Sequence, residues 1–325
     1  MALKNENLHP KIVALAGGVG GAKLAHGLAR ILPPNHLTVI VNTGDDFVHR
    51  GLNISPDLDT VMYTLGEIAN PKTGWGIDGD TFQNYEMLER YGAAPWFRLG
   101  DRDLATHFLR TEALKNGQTL TQVTHQLSQA LGIQQTILPA TDDPFATLVD
   151  TQEYGRLEFQ EYFVKFRWQP TVVGLSYKGE GEAQATNMAL DAIHHADLIV
   201  ICPSNPLLSI EPILRLGGMR EAIQSRHVPC IAVSPLIGGK AVKGPAAKLM
   251  EELHLDASVK GIAAYYTGLI DGLVMDTADT DAVEELRKVA PALSLIVTQT
   301  LMETIEDRER LAGEILKWIL EGISL

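Results

Sequence analysis

The sequence predicts an α/β fold: a mostly parallel sheet with helices on both faces and a helical subdomain inserted into it. Three observations carry this expectation. Short, continuous apolar runs at residues 12–16, 37–41, 197–202 and 229–234 have the character of strands buried on both faces, as in parallel sheets. Helix-like stretches alternate with them, the rhythm of βα units. A glycine-rich segment, Gly17-Gly18-Val19-Gly20-Gly21-Ala22-Lys23, joins the first apolar run to the first helical stretch.

Taken in order, strand 12–16 leads through the glycine segment into a helix over 22–32. Strand, glycine turn and helix together present bare backbone N–H groups and a positive helix end to an anion. The segment fits neither common phosphate motif. A dinucleotide fingerprint requires glycine where Lys23 stands, and a P-loop requires glycine before the lysine and Ser or Thr after it, where Ala22 and Leu24 stand. Gly18, Gly20, Gly21 and Lys23 are therefore candidates for a phosphate loop of nonstandard type, against the alternative of a tight turn packing helix on strand. Strand 37–41 follows, with Asn42-Thr43-Gly44-Asp45-Asp46 at its carboxyl end, the edge where open α/β sheets bind ligands. Ser55, Pro56 and Asp57 read as N-cap, first helical residue and first-turn acid of a helix ending near Gly66.

Residues 74–132 read as the helical insertion, with helices over 81–90, 101–115 and 119–131, inside a single unit spanning 11–325. Residues 153–176, rich in aromatic and β-branched side chains, predict one or two antiparallel strands. The βα rhythm then resumes: helix 183–195, strand 197–202, helix 217–225, strand 229–234 and helix 245–254. Strands at 272–275 and 294–298 and an amphipathic helix over 301–320 complete the chain.

Composition narrows the function. A formal charge of −13 argues against a nucleic-acid partner, which needs a basic field. An acidic protein that handles phosphates must supply local compensation from Lys, Arg, backbone amides or a metal ion. Two cysteines, Cys202 and Cys230, make no disulfide framework and no zinc set, and read as buried thiols. The start, residues 1–7, lacks a signal-peptide core, and no stretch is long and apolar enough to span a bilayer; the expectation is a cytoplasmic protein without a membrane partner.

Four constellations can carry chemistry. Asp45, Asp46, Asp57 and Asp59 offer hard oxygen ligands of the kind Mg²⁺ takes together with substrate phosphates. Asp57 and Asp59 are two apart on a helix and point in nearly opposite directions, so both should not hold one ion. The start of the helix accounts for Asp57; Asp59, deeper in, has less need of that explanation, which leaves Asp45, Asp46 and Asp59 as the metal candidates. The second is Arg98-Leu99-Gly100-Asp101-Arg102-Asp103, with Asp101 as a candidate N-cap and Asp103 and His107 on one helix face; a surface ion-pair knot is the alternative. The third is Cys202-Pro203-Ser204-Asn205-Pro206, where Ser204 and Asn205 stand at a strand's carboxyl end, or form a plain proline turn. The fourth, residues 234–245, brings Gly238, Gly239, Lys240 and Lys243 between strand and helix, a second anion-site candidate or a solvated basic loop. No nucleophile elbow and no His-Glu-x-x-His occurs.

These motifs, with Pro-Asp-Leu-Asp-Thr at 56–60, Asp-Asp-Pro at 142–144 and Ser-Pro-Leu-Ile-Gly-Gly at 234–239, stand in an order that resembles the 2-phospho-L-lactate transferase (CofD) family of coenzyme F420 biosynthesis, from about residue 11 to the end. The resemblance implies a Rossmann-like fold with an added helical part, usually dimeric. It implies transfer of a phospholactyl or phosphoenolpyruvyl group from a guanosine-diphosphate-linked donor to a hydroxyl of the deazaflavin Fo, with GMP leaving and Mg²⁺ required. It further implies that Asp59 and Arg98 contact Fo, and that the glycine turn and the 203–206 loop bind nucleotide. Asp59 or Asp103 would orient the Fo hydroxyl or take its proton, and Lys23, Arg102 and Lys240 would neutralise the leaving group. Asp59→Asn should then cut turnover and leave the fold intact. Cys202 stands where relatives often have glycine, and Gly44-Asp45-Asp46 replaces an Ala-Glu-Asp type triplet, which leaves the metal ligand open between Asp45 and Asp46. Nucleotide-sugar-binding regulatory proteins of the same superfamily are the alternative. The 98–103 segment with Asp59 is the feature that separates them, while Lys23 in place of a third glycine disfavours an NAD enzyme.

Overall fold

A computed structural model describes residues 10–93, 96–242 and 244–320. Its centre is a seven-stranded sheet in which every neighbouring pair is parallel. In chain order the strands are β1 (Ile12–Ala16), β2 (Leu37–Val41), β3 (Thr136–Pro139), β4 (Leu198–Ile201), β5 (Cys230–Val233), β6 (Gly272–Asp276) and β7 (Ser294–Thr298). Across the sheet they run β7-β6-β5-β4-β1-β2-β3. The order reverses between β1 and β4, the topological switch point at which doubly wound sheets bind ligands.

Both faces of the sheet are covered, and the pleat assigns each side chain to its side. Val13 and Leu15 of β1 join one apolar core, while Ile12, Ala14 and Ala16 join the other beneath helix α1 (Gly18–Ile31). The α/β fold with helices on both faces is as the sequence predicts. Beside α1 lie helix α2 (Pro56–Leu65) and the C-terminal helix Ile305–Leu320; a Cβ on Gly27 would stand 2.2 Å from the Arg308 carbonyl oxygen, so only glycine admits that helix so close.

Between α2 and β3 the chain forms three helices, α3 (Gln83–Arg90), α4 (Asp103–Lys115) and α5 (Leu120–Ala130), within the segment read as the helical insertion. Two of them exchange caps. Asp80 accepts from the amides of Arg102 (2.8 Å) and Asp103 (3.1 Å) at the start of α4, while Asp101 accepts from those of Gln83 (2.9 Å) and Asn84 (3.0 Å) at the start of α3. Asp101 therefore caps the preceding helix rather than its own, whose N-cap position is Arg102.

Other departures have local causes. The glycines expected as a turn before the helix form its first turn, because α1 begins at Gly18. Strand β3 is four residues long and ends in Pro139, tolerated because it lies at the sheet edge. Two strands arise from residues 153–176 as expected, Gly155–Glu158 and Val172–Lys178, and both pair antiparallel with Ala146–Thr151, a strand the sequence did not announce. A small hairpin, Phe47–His49 with Leu52–Ile54, separates Asp46 from α2. The helix expected over 301–320 begins at Ile305, leaving Thr300, Leu301 and Met302 as loop. Cys202 and Cys230 are buried and unpaired. Among the described residues no helix is long and apolar enough to cross a membrane. Residues 1–7 and Lys243 lie outside the described residues.

Candidate active site

A cleft of about 770 Å³ opens along the carboxyl ends of the strands, a size suited to a small-molecule ligand. Its walls are the loops that follow β1, β2, β4, β5 and β7, contributing Gly17–Gly20, Asp45, Pro203–Asn205, Ser234–Pro235 and Thr300–Met302. Of the residues singled out from sequence, Gly18, Gly20, Lys23, Asp45, Asp57, Asp59, Arg98, Asp103, His107, Ser204 and Asn205 all reach it.

The glycine segment meets its neighbours at contact distance. A Cβ on Gly20 would fall 2.3 Å from the Pro203 carbonyl oxygen, and one on Gly21 would fall 2.4 Å from Ser204 Oγ. Gly18 has φ +61, a left-handed backbone that suits glycine. The Ser204 hydroxyl donates to the Gly17 carbonyl (2.8 Å) and accepts from the Gly17 N–H (3.1 Å), and Asp57 Oδ1 accepts from the Gly18 N–H (2.6 Å). Two amides of the turn are thus taken by the protein. The first-turn amides of Val19 and Gly20, which have no acceptor inside the helix, remain at the cleft wall. Lys23 Nζ donates to the Met302 carbonyl, tying α1 to the loop after β7. Asn205 Oδ1 caps the helical turn at Pro206–Ile210 through the amides of Leu207 (3.0 Å) and Leu208 (3.2 Å).

Five carboxylates gather here. Asp45 is buried and receives two long side-chain contacts, from Asn42 Nδ2 (3.4 Å) and Gln160 Nε2 (3.3 Å). Burial pushes its carboxyl well up, and the charges of Asp57 and Asp46 push it further. Asp46 takes the Ser55 hydroxyl at 2.6 Å, so Ser55 stands at the N-cap of α2 with its hydroxyl turned away from the helix; Asp46 Oδ1 is buried with no hydrogen-bond partner among the described residues. Burial also raises Asp46 well above its ordinary range. Asp57 is raised to about 6 by burial, against hydrogen bonds from Asn42 (2.9 Å) and Gly18 that favour its charged form. Such elevated acids mark a pocket short of positive charge.

Asp59 differs. Its carboxylate is gripped by both terminal nitrogens of Arg110, Nη1 at 3.0 Å and Nη2 closer still, and Arg110 is only 1% exposed. Asp103 Oδ1 accepts from Tyr63 OH at 2.6 Å and lies 3.3 Å from His107 Nε2. Burial would raise Asp103, but His107, the Tyr63 hydroxyl and Arg110 outweigh it and leave its pKa lowered. Asp59, Asp103 and His107 present ligand atoms within 4.8 Å of one another; the Arg110 guanidinium already in contact with Asp59 supplies positive charge there. Asp45 and Asp57, which share the Asn42 side-chain amide at 3.4 and 2.9 Å, are the carboxylates left to hold a divalent cation. Asp59→Asn would also leave a buried guanidinium facing a neutral amide, so the change would cost stability as well as turnover.

Other sequence candidates stand away from the cleft. Arg102 is exposed and donates to the Asp78 carbonyl (3.0 Å). Gly238 and Gly239, with φ +57 and +71, make the turn of a hairpin between Leu236–Ile237 and Lys240–Ala241, and Lys240 is exposed on it. That geometry accounts for the glycines as hairpin chemistry. Gly21 also stays behind the wall, packed on Ala16 and Ser204.

The sequence reading missed the aromatic wall. Three of the four tryptophans, Trp75, Trp96 and Trp168, line the cleft with Phe97, Phe159 and Phe163. Arg98 lies 4.6 Å above the Phe82 ring and 4.9 Å from that of Tyr85, with its side chain on the same cleft. Arg110 was missed too. Its signal was spacing: Asp103, His107 and Arg110 stand at i, i+4 and i+7, one inward-facing polar stripe on α4.

The fold and its cleft define a Rossmann-like α/β protein with a small-molecule site. The chain matches the family described as 2-phospho-L-lactate transferase CofD over residues 12–308. A 2-phospho-L-lactate transferase of Methanospirillum hungatei is 40% identical over 94% of this chain and 99% of its own. A phosphoenolpyruvate transferase of Streptomyces griseus is 43% identical over 85% of this chain and 88% of its own. A solved structure of a Bacillus halodurans protein shares the fold, with a TM-score of 0.63 at 16% identity, covering 95% of this chain and 99% of that one. The chain belongs to the 2-phospho-L-lactate transferase CofD family, and it is an enzyme that transfers a phospho-acid group.

Proposed function

We propose that this enzyme moves a phospholactyl or phosphoenolpyruvyl group from a guanosine-diphosphate-linked donor to a hydroxyl of the deazaflavin Fo, releasing GMP in a step of coenzyme F420 assembly. The observation that carries the reading is the composition of one cleft: helix-end amides on one wall, aromatic rings and Arg98 on another, and buried carboxylates among them. The family's transferases, and the names of the relatives, supply the reaction class. Mg²⁺ is the proposed cofactor, a homodimer the proposed assembly, and the cytoplasm the proposed location. Residues 74–132 are proposed as a helical insertion within one unit spanning 11–325.

In this reading the amides of Val19 and Gly20 and the Lys23 ammonium hold the diphosphate, where the dipole of α1 favours negative charge. The rings of Trp75, Trp96 and Phe97 with Arg98 receive the flat deazaflavin. Asp103, kept ionised by His107, Arg110 and Tyr63, accepts the hydroxyl proton of Fo and turns that oxygen toward the phosphorus next to the three-carbon acid. The new P–O bond forms as the P–O bond to GMP breaks, so catalysis rests on alignment and charge neutralisation. Asp59, anchored by Arg110, fixes the acceptor's position beside Asp103. Asp45 and Asp57 would hold Mg²⁺, which when bound would supply positive charge at the diphosphate.

The test is to incubate the protein with Fo, Mg²⁺ and each candidate donor and to follow the product by mass. Formation of a phospho-acid ester of Fo with release of GMP is the expected result. No transfer from either donor, together with tight binding of a nucleotide sugar, would overturn the reading in favour of a regulatory binding protein.

A further inference from the structure

The segment before the last antiparallel strand carries an unusual backbone. Arg167 and Trp168 are consecutive non-glycine residues in the left-handed region, with φ +52 and +48. Each costs roughly 1–2 kcal/mol for an L-residue, and such strain persists only where surrounding structure holds it. The structure does hold it. Glu161–Lys165 forms a π-helical turn just ahead, and the Phe166 amide bonds the Glu161 carbonyl (2.9 Å). The Trp168 amide bonds the carbonyl of the fully buried Tyr162 (2.9 Å), and Lys248 holds the Pro170 carbonyl at 2.9 Å. A glycine at either position would adopt the same backbone without penalty, so the side chains are what the strain preserves.

Arg167 lines the cleft, and its guanidinium has no ion pair, hydrogen bond or ring contact among the described residues. The other strong cations on the wall are engaged: Lys23 with Met302, Arg98 with two rings. An uncommitted guanidinium in a protein of charge −13, facing a cleft rich in carboxylates, is a group waiting for a ligand anion. The α1 amides already offer the diphosphate a seat on a different wall. Accepting the proposed reaction, the remaining anion of the donor is the carboxylate of its three-carbon acid. We infer that Arg167 recognises that carboxylate by a bidentate pair and so selects donors that carry a carboxylic acid beside the transferred phosphorus.

The experiment compares wild type with Arg167→Ala, Arg167→Lys and Arg167→Gly, the last of which relieves the backbone strain and removes misfolding as an explanation. KM for the phospholactyl donor is expected to rise roughly ten- to hundredfold in the Ala and Gly variants. The Lys variant should recover part of it, while KM for Fo and inhibition by GDP stay at wild-type values. A donor whose carboxylate is replaced by a carboxamide should serve wild type and Arg167→Ala equally. Unchanged donor KM in Arg167→Gly would overturn the assignment. Weakened GDP inhibition in step with the donor would overturn it differently, by placing the guanidinium on the diphosphate. Calorimetric binding of the donor without Fo gives the same comparison independently of turnover. Equal donor affinity there sinks the Arg167 assignment, whereas a wild type that binds the donor and transfers nothing sinks the proposed reaction.

Discussion

Asp57 Oδ1 accepts a 2.6 Å hydrogen bond from the Gly18 amide, so an acid in the first turn of α2 closes the first turn of α1. The N-terminal amide that a bound phosphate would be expected to claim is already occupied, and by a carboxylate that repels phosphate when ionised. A ligand anion at this wall must then use the next amides and be accompanied by a proton or a cation. Replacing Asp57 by Ala strands the Gly18 N–H, leaves Asn42 Nδ2 with only its long contacts at 3.4 Å and should cost about 1–3 kcal/mol of stability, whereas Asp57→Asn retains an acceptor and should stay within ~1 kcal/mol of wild type. Urea denaturation of the three proteins checks the order.

The same residue sets a pH dependence. Its pKa rises from 3.8 to about 6 on folding, so the native state binds the proton more tightly than the unfolded chain. That contribution to stability is complete below about pH 4 and is lost as pH climbs through 6. Asp45 and Asp46, raised well above their ordinary range by burial, act in the same direction. A cation that binds the ionised acids has the opposite dependence. Thermal scans should therefore show Mg²⁺ raising Tm more at pH 7.5 than at pH 5, and an equal increment at both would separate the acids from the metal.

Arg110→Ala leaves Asp59 buried without its partner, and Asp59→Asn leaves the guanidinium. Each should cost about 3–5 kcal/mol. Asp59→Asn combined with Arg110→Gln removes both charges and should regain much of that stability without regaining turnover. Chemical denaturation beside an activity assay distinguishes a structural pair from one that also positions the acceptor.

Two glycines test which loop forms the site. In Gly20→Ala the new methyl meets the Pro203 carbonyl oxygen at 2.3 Å, a backbone atom that cannot swing aside, so stability and donor affinity should both fall. Gly238→Ala has open space around it and only its left-handed φ to oppose. It should lose about 1–2 kcal/mol and keep donor affinity, as read by GDP titration.

Arg98 lies between two rings at the cleft, and Arg98→Ala should raise KM for Fo with little change in GDP affinity. A parallel loss of GDP binding would move Arg98 to the donor side. Steady-state kinetics with each substrate varied in turn settles it.

Much of this site was legible because parallel strands announce themselves as continuous apolar runs and ligands gather at their carboxyl ends. Asp45 and Ser204 sit in loops that directly follow those runs, while Asp59 and Asp103 stand in the first turns of α2 and α4. What was not legible depends on partners distant in the chain. Gly21 looks like a phosphate-loop glycine until Ser204, 183 residues later, is found where its Cβ would be. Lys240 looks like an anion ligand until the pair Gly238–Gly239 is seen to turn a hairpin that carries it outward. Arg110 reads as a helix-surface residue because burial of an arginine depends on a carboxylate from another element. The aromatic wall was invisible for a related reason: Trp75, Trp96 and Trp168 share no spacing, and only the fold brings them to one surface.

The cleft draws Gly17–Gly20 from the opening of the chain and Thr300–Met302 from near its close, fastened together by Lys23 and Met302. Both segments must have left the ribosome before those two walls can meet. Ligand affinity therefore waits on the 300–302 loop, and a product shortened before residue 300 would leave the site with a wall missing. Binding of the donor would accordingly report that this loop has docked, which no measure of secondary structure elsewhere in the chain would.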